Sequence, residues 1–281
     1  MPHLERTGQP RLHYELDDYT DPWKDAPYIL LQHGYARSSK FWRAWVPYLS
    51  RFYKVIRPDL RGLGESGRDF DVERGINLDA YLGDLTDLLD HLGIDTVHYC
   101  GESSAGTLGM AFAAERPQRV RTLSIISAPI AMTEEDKQSS LGGFPNRVEA
   151  LRTLGSRGWL EASNAGRRFP ADADPALLQW TLDEMGRSDV EVLVSMFRFV
   201  SSVDAAPYLP KIAAPVLALY PKAGVITKDE HLDLLRTHVR DLRLVQLPLR
   251  AHSLQIIAPA TCATQVLYFI AQHDGIVCRE A

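Results

Sequence analysis

Apolar and polar positions alternate along the chain in two rhythms. Short β-rich runs are followed by stretches of helical period. Tyr28–Gln32 is a short apolar run that ends at His33-Gly34, and Phe41–Arg51 after it reads as a helix. Tyr53–Asp59 is the next predicted strand. Leu78, Leu82, Leu85, Leu89 and Leu92 recur at steps of four and three, which makes one apolar helix face, stopped at Gly93. Thr96–Cys100 reads as a strand, Ser104–Glu115 as a helix halted near Pro117, and Val120–Ile126 as another strand. Strands alternating with helices of this size imply βαβ units and a parallel sheet.

The rhythm breaks between Pro129 and about Pro210. This stretch holds helical patterns, clearest at Pro175–Met185 and Val190–Phe199, and no convincing strand. Alternation resumes with the strand Pro215–Tyr220, a helix near Lys228–His238, the strand Leu242–Leu247 and a helix from Pro259 to His273. The expected organisation is an α/β core built from residues 1–129 and 211–281, with residues 130–210 inserted as a helical cap. Caps of this kind supply substrate contacts and act as lids.

Composition narrows the function. Net charge is −5 and no Lys/Arg run stands out, which argues against nucleic acid as a partner. Cys100, Cys262 and Cys278 form no CxxC and are odd in number, so they read as unpaired thiols. The polar N-terminus lacks an apolar signal core, and no stretch approaches a membrane span. A cytoplasmic location follows as the expectation, with no membrane partner. No Cys/His spacing suggests a metal site, and no cofactor is expected.

The candidate chemistry centres on Gly101-Glu102-Ser103-Ser104-Ala105-Gly106, between a predicted strand and a predicted helix. A nucleophile on a sharp strand-to-helix turn needs small residues two before and two after it. Gly101 and Ala105 meet that need for Ser103, whereas Glu102 would violate it for Ser104. His252 follows the last predicted strand, at the carboxyl edge where open α/β sheets bind ligands. It is the expected general base. The N–H groups of Tyr35 and Ser104 are the expected oxyanion donors. Asp59-Leu60-Arg61-Gly62-Leu63-Gly64-Glu65-Ser66 is Gly-rich but has no following Lys, so it reads as a structural loop.

Taken together, His33-Gly34, Asp59-x-Arg61-Gly62-x-Gly64-x-Ser66, Gly101-x-Ser103-x-Ala105-Gly106 and His252 resemble the α/β-hydrolase family. The overall look is similar to small esterases and lactonases of the 3-oxoadipate enol-lactonase kind. The resemblance implies a serine hydrolase that cleaves a carboxylic ester or lactone of a moderately apolar small molecule through an acyl-enzyme. A cofactor-independent oxygenase, a C–C bond hydrolase or lyase, and a non-catalytic ligand-binding homologue are the rival readings. One departure stands out: Gly224 occupies the place where the family has its Asp. Glu102 ranks first as acid or electrostatic helper, ahead of Asp229 and Asp204, and a Ser–His dyad stays open. Trp159, Trp180 and Phe197 of the inserted region are the expected substrate contacts. Arg167 and Arg168 are able to hold a carboxylate but read more simply as exposed cations.

Overall fold

The computed structural model describes residues 2–133, 137, 143–164, 168–222, 226 and 228–278. Gly224 and Arg167, singled out above, lie outside the described residues.

Eight strands form one sheet in the order β1-β2-β4-β3-β5-β6-β7-β8. They are β1 (His3–Leu4), β2 (Leu12–Asp17), β3 (Tyr28–Gln32), β4 (Lys54–Pro58), β5 (Val97–Glu102), β6 (Val120–Ile126), β7 (Val216–Pro221) and β8 (Leu242–Leu247). The strands from β3 to β8 pair in parallel, and β1 and β2 are antiparallel additions at one edge. β3, β4, β6 and β8 fall within a residue of where the apolar runs put them. β1 and β2 were not legible, because β2 reads LHYELD, with His, Glu and Asp at three of its six positions. His13 is buried there because Asp59 receives its ring nitrogen.

The long helices are α1 (Leu78–His91), α2 (Ser104–Glu115), α3 (Arg147–Asn164), α4 (Pro175–Met185), α5 (Val190–Ser202), α6 (Asp229–His238) and α7 (Pro259–Asp274). On α1 the predicted leucine face is buried at Leu82, Leu85 and Leu89, packed with Met110 and Phe112 of α2 against one side of the sheet. The other side is covered by α7, through Val266, Phe269 and Ile270, and by Trp42 and Trp45. Burying a side chain of this size stabilises the fold by roughly 1.5–3 kcal/mol. The stretch Phe41–Arg51, expected as one helix, instead falls in a 3-10 turn at Ser39–Trp45 followed by a short α-helix at Val46–Leu49. The break falls just before Pro47, whose ring suits the first turn of a helix but not its interior.

A third apolar cluster lies over the carboxyl edge of the sheet. It joins Leu151, Leu160, Leu193 and Met196 of α3 and α5 to Phe41 and Leu63. α3, α4 and α5 all come from the stretch between β6 and β7. Ala131 and Asp204 form an isolated antiparallel bridge where this stretch leaves and rejoins the sheet. Among the described residues, no helix is long and apolar enough to cross a membrane.

The Gly-rich loop after β4 is organised by Asp59, whose carboxylate accepts from the N–H groups of Ser39 (2.6 Å) and Glu65 (2.9 Å) and lies 2.8 Å from His13 Nδ1. Arg61 makes a bidentate pair with Asp84 of α1 (2.7 and 2.6 Å). Burial alone would raise the Asp59 pKa, but the bond from His13, the charge of His33 and the two N–H groups hold it below its ordinary 3.8. Asp274 is depressed likewise: burial opposes ionisation, and His98, Tyr53 and Arg121 outweigh it. A carboxyl whose folded pKa lies below its unfolded one stabilises above the unfolded value, and that stability is lost as pH falls through the folded pKa. The urea midpoint is therefore expected to drop as pH falls below about 4. Asp59→Asn, less stable at neutral pH, is expected to show a shallower drop over the same window. A slope equal to that of the parent protein in urea titrations would count against the assignment.

Candidate active site

The carboxyl ends of β3, β5, β6, β7 and β8 lie along one edge, and the loops leaving them carry the candidate residues. β5 ends at Glu102 and α2 starts at Ser104, so Ser103 alone makes the turn. Its φ of 55° and ψ of −127° are strained for a residue with a side chain. Its N–H still bonds the Ile126 carbonyl at 2.9 Å, which ties the turn to β6. A Cβ on Gly101 would stand 2.4 Å from the Ala105 carbonyl oxygen, so the first small position is enforced by the returning helix.

His252 comes from the loop after β8. Its Nε2 lies 2.9 Å from Ser103 Oγ, a contact between residues 149 apart in the chain. Both the ring and the serine stand at the wall of a pocket that also receives Tyr35, Trp159, Arg168 and Phe197. Ser104 N–H is the first of α2, and first-turn N–H groups have no acceptor within the helix. The Tyr35 backbone follows Gly34, where an added Cβ would stand 3.1 Å from Ser103 Cβ. The loop after β3 therefore passes directly beside the serine. The Tyr35 hydroxyl donates to the Leu193 carbonyl at 3.0 Å, fastening this loop to α5.

Glu102 is fully buried and ion-paired with Arg37. Its Oε1 lies 3.7 Å from His252 Nε2, the nitrogen that also faces Ser103. The carboxylate thus stands beside the reacting nitrogen and not behind the ring at Nδ1, where an orienting acid belongs. Arg37 also donates from Nη2 to Ser253 Oγ at 2.7 Å. One guanidinium therefore touches the residue before Ser103 and the residue after His252. Arg37 escaped the sequence reading because nothing in YARSSK distinguishes a buried arginine from a solvated one.

Several expectations need correction. Asp229 is exposed in the first turn of α6, where its charge suits the helix's positive end, and no described contact joins it to His252. Asp204 is exposed and accepts from the Ala206 N–H at 2.9 Å, closing a local turn. Trp180 does not line the pocket: its ring packs against that of Phe41, with centroids 4.8 Å apart. Arg168, read as an exposed cation, is half-buried at the pocket wall with its guanidinium 5.6 Å from the centre of the Trp159 ring. Arg147 lines the same pocket, 5.4 Å from the centre of the Phe197 ring, and was not foreseen.

A parallel sheet with an antiparallel edge, a strained serine between β5 and a buried helix, and a histidine after the last strand define an α/β-hydrolase fold. The family model described as alpha/beta hydrolase fold matches residues 27–162, and the protein has the α/β-hydrolase fold. A protein of Agrobacterium fabrum named as a carbamate hydrolase, RutD, is 27% identical over 94% of this chain and 99% of its own. A strigolactone esterase of Arabidopsis thaliana is 28% identical over 84% of this chain and 89% of its own. The crystal structure of an enol-lactonase from Burkholderia xenovorans superposes with a TM-score of 0.85, covering 96% of this chain and 100% of that one at 24% identity.

Proposed function

We propose that the protein is a serine hydrolase that cleaves a carboxylic ester or lactone of a small, moderately apolar molecule through an acyl-enzyme on Ser103. The observation that carries this reading is the 2.9 Å approach of His252 Nε2 to Ser103 Oγ on a strained turn. Ser103 Oγ attacks the acyl carbon while its proton passes to His252 Nε2. The Ser104 and Tyr35 N–H groups receive the oxyanion. As the tetrahedral adduct collapses, the C–O bond to the alcohol breaks and the His252 proton goes to the departing oxygen. Water then gives a proton to His252 Nε2 as its oxygen bonds the acyl carbon; the bond from that carbon to Ser103 Oγ breaks, Oγ takes the proton back from His252, and the acid leaves.

Glu102 stabilises the imidazolium from 3.7 Å, and Arg37 is its buried ion-pair partner. The apolar sides of Trp159 and Phe197, under helices α3 and α5, receive the substrate's hydrocarbon part. Residues 130–210 act as the cap over this pocket. The esterase and the lactonase among the relatives support the reading.

A fluorophosphonate probe tests it. The expected result is one covalent adduct per chain, on Ser103, that blocks ester turnover. Ester turnover that survives the probe, or an adduct elsewhere, would leave Ser103 without the role proposed for it.

A further inference from the structure

We propose that the protein binds a compact oxyanion, free phosphate or a small phosphate monoester, in a second cavity where the inserted helices meet the core. The site stands apart from Ser103 and needs no part of the hydrolase reading.

The cavity has a volume of about 300 Å³, against about 100 Å³ for the pocket at Ser103, and the two share no lining residue. Its core side is formed by the stretch after β3, by Arg57 of β4 and by the Gly-rich loop. Glu184, Arg187 and Ser188, at the end of α4, close the other side.

This lining is rich in open donors. Arg37 Nε and Ser38 Oγ are buried and have no hydrogen-bond partner. Arg57, only 7% exposed, gives Nε to Asp17 at 2.7 Å and Nη1 to the Ser39 carbonyl at 3.1 Å. Among the described residues its Nη2 has no acceptor. Nor do the hydroxyls of Ser39 and Ser188 or the Arg43 guanidinium make a hydrogen bond or ion pair among the described residues. A buried donor without an acceptor is destabilising, so native structures rarely gather several at one place without a partner for them.

The carboxylates around the same cavity are mostly engaged. Asp59 accepts from the Ser39 and Glu65 N–H groups and holds His13. Glu184 pairs with Lys40 at 3.0 Å and Arg187 at 3.3 Å, and Glu15 lies 3.4 Å from His13 Nε2. Glu65 remains, and it is exposed. The surplus is therefore of guanidinium and hydroxyl donors, which suits a ligand with negative charge and several acceptor oxygens. Phosphate carries both on a compact tetrahedron, and arginine is matched to it. A metal ion is the poorer fit: among the described residues no group of His, Cys, Asp and Glu could hold one. Donors come from the core at Ser38 and Arg43 and from the inserted region at Ser188, so the bound oxyanion bridges the two, beside the Lys40–Glu184 ion pair that already crosses the same boundary.

Calorimetry with inorganic phosphate and with glycerol 3-phosphate tests this. The expected result is saturable binding of at least one, with a Kd of about 1 mM or below, and the tighter of the two identifies the source of the phosphate group. Arg43→Met is expected to raise that Kd about tenfold or more, and Ser38→Ala and Ser188→Ala about threefold to tenfold each. None of these three residues lines the pocket at Ser103, so their effect locates the ligand. Arg43 is exposed and Ser188 half-buried, so those two variants keep the test open if Ser38→Ala fails to fold. Weakening in Arg43→Met together with either serine variant supports the site. Absence of saturable binding for both compounds, or any other pattern among the variants, overturns it.

Discussion

Ser103→Ala is expected to lower kcat for ester cleavage by about four to six orders of magnitude, and His252→Ala by nearly as much. The two losses are not expected to add. The serine hydroxyl is a weak nucleophile until the imidazole takes its proton, and the imidazole has nothing to activate once the hydroxyl is gone. The double variant should therefore be about as inactive as either single one. Residual rate would come from the Ser104 and Tyr35 N–H groups and from binding. KM should move little, since neither side chain is needed to fill the pocket. The measurement is steady-state kinetics on a nitrophenyl ester with all three variants, each checked for folding by urea titration. A Ser103→Ala enzyme that retains substantial turnover would shift the balance to chemistry in which His252 acts on the substrate directly.

Arg37→Met is expected to destabilise the protein by about 3–5 kcal/mol, although Arg37 lies off the line of bond making. Its guanidinium is the partner of a fully buried carboxylate, Glu102, and removing it strands that charge. It also removes the 2.7 Å donor to Ser253 Oγ beside His252. Combining Arg37→Met with Glu102→Gln should recover most of the stability, because the stranded charge is gone. Activity should not recover in parallel, since the carboxylate 3.7 Å from Nε2 is then absent. Urea midpoints for the two single variants and the double variant give the coupling energy. Midpoints of Arg37→Met equal to the parent's, or a double variant no better than Arg37→Met, would refute the pairing as a source of stability.

The fold was legible wherever a local rule sufficed. Apolar runs flanked by turn residues, such as Tyr28–Gln32 and Val120–Ile126, became strands at those bounds. The leucine spacing from 78 to 92 gave α1, because helical period and burial agree there. The first two strands were hidden because β2 belongs to the sheet only through its antiparallel pairing with β4 and the burial of His13 against Asp59. In the inserted stretch, aromatic residues at helical spacing marked helices but not the faces they turn inward. Trp159 and Phe197 meet the pocket, whereas Trp180 meets Phe41.

What the chain determined by itself is the local geometry: alternating strands and helices, and small residues around Ser103 that admit a turn with positive φ. These depend on sterics within a few bonds, which neighbouring residue types dictate. What only tertiary structure decided is which distant groups share a dry space: His252 against Ser103, Arg37 against Glu102, Arg168 against Trp159. The strength of a charge or a hydrogen bond depends on the water it has lost. That loss is a property of packing, and spacing along a chain carries no record of it.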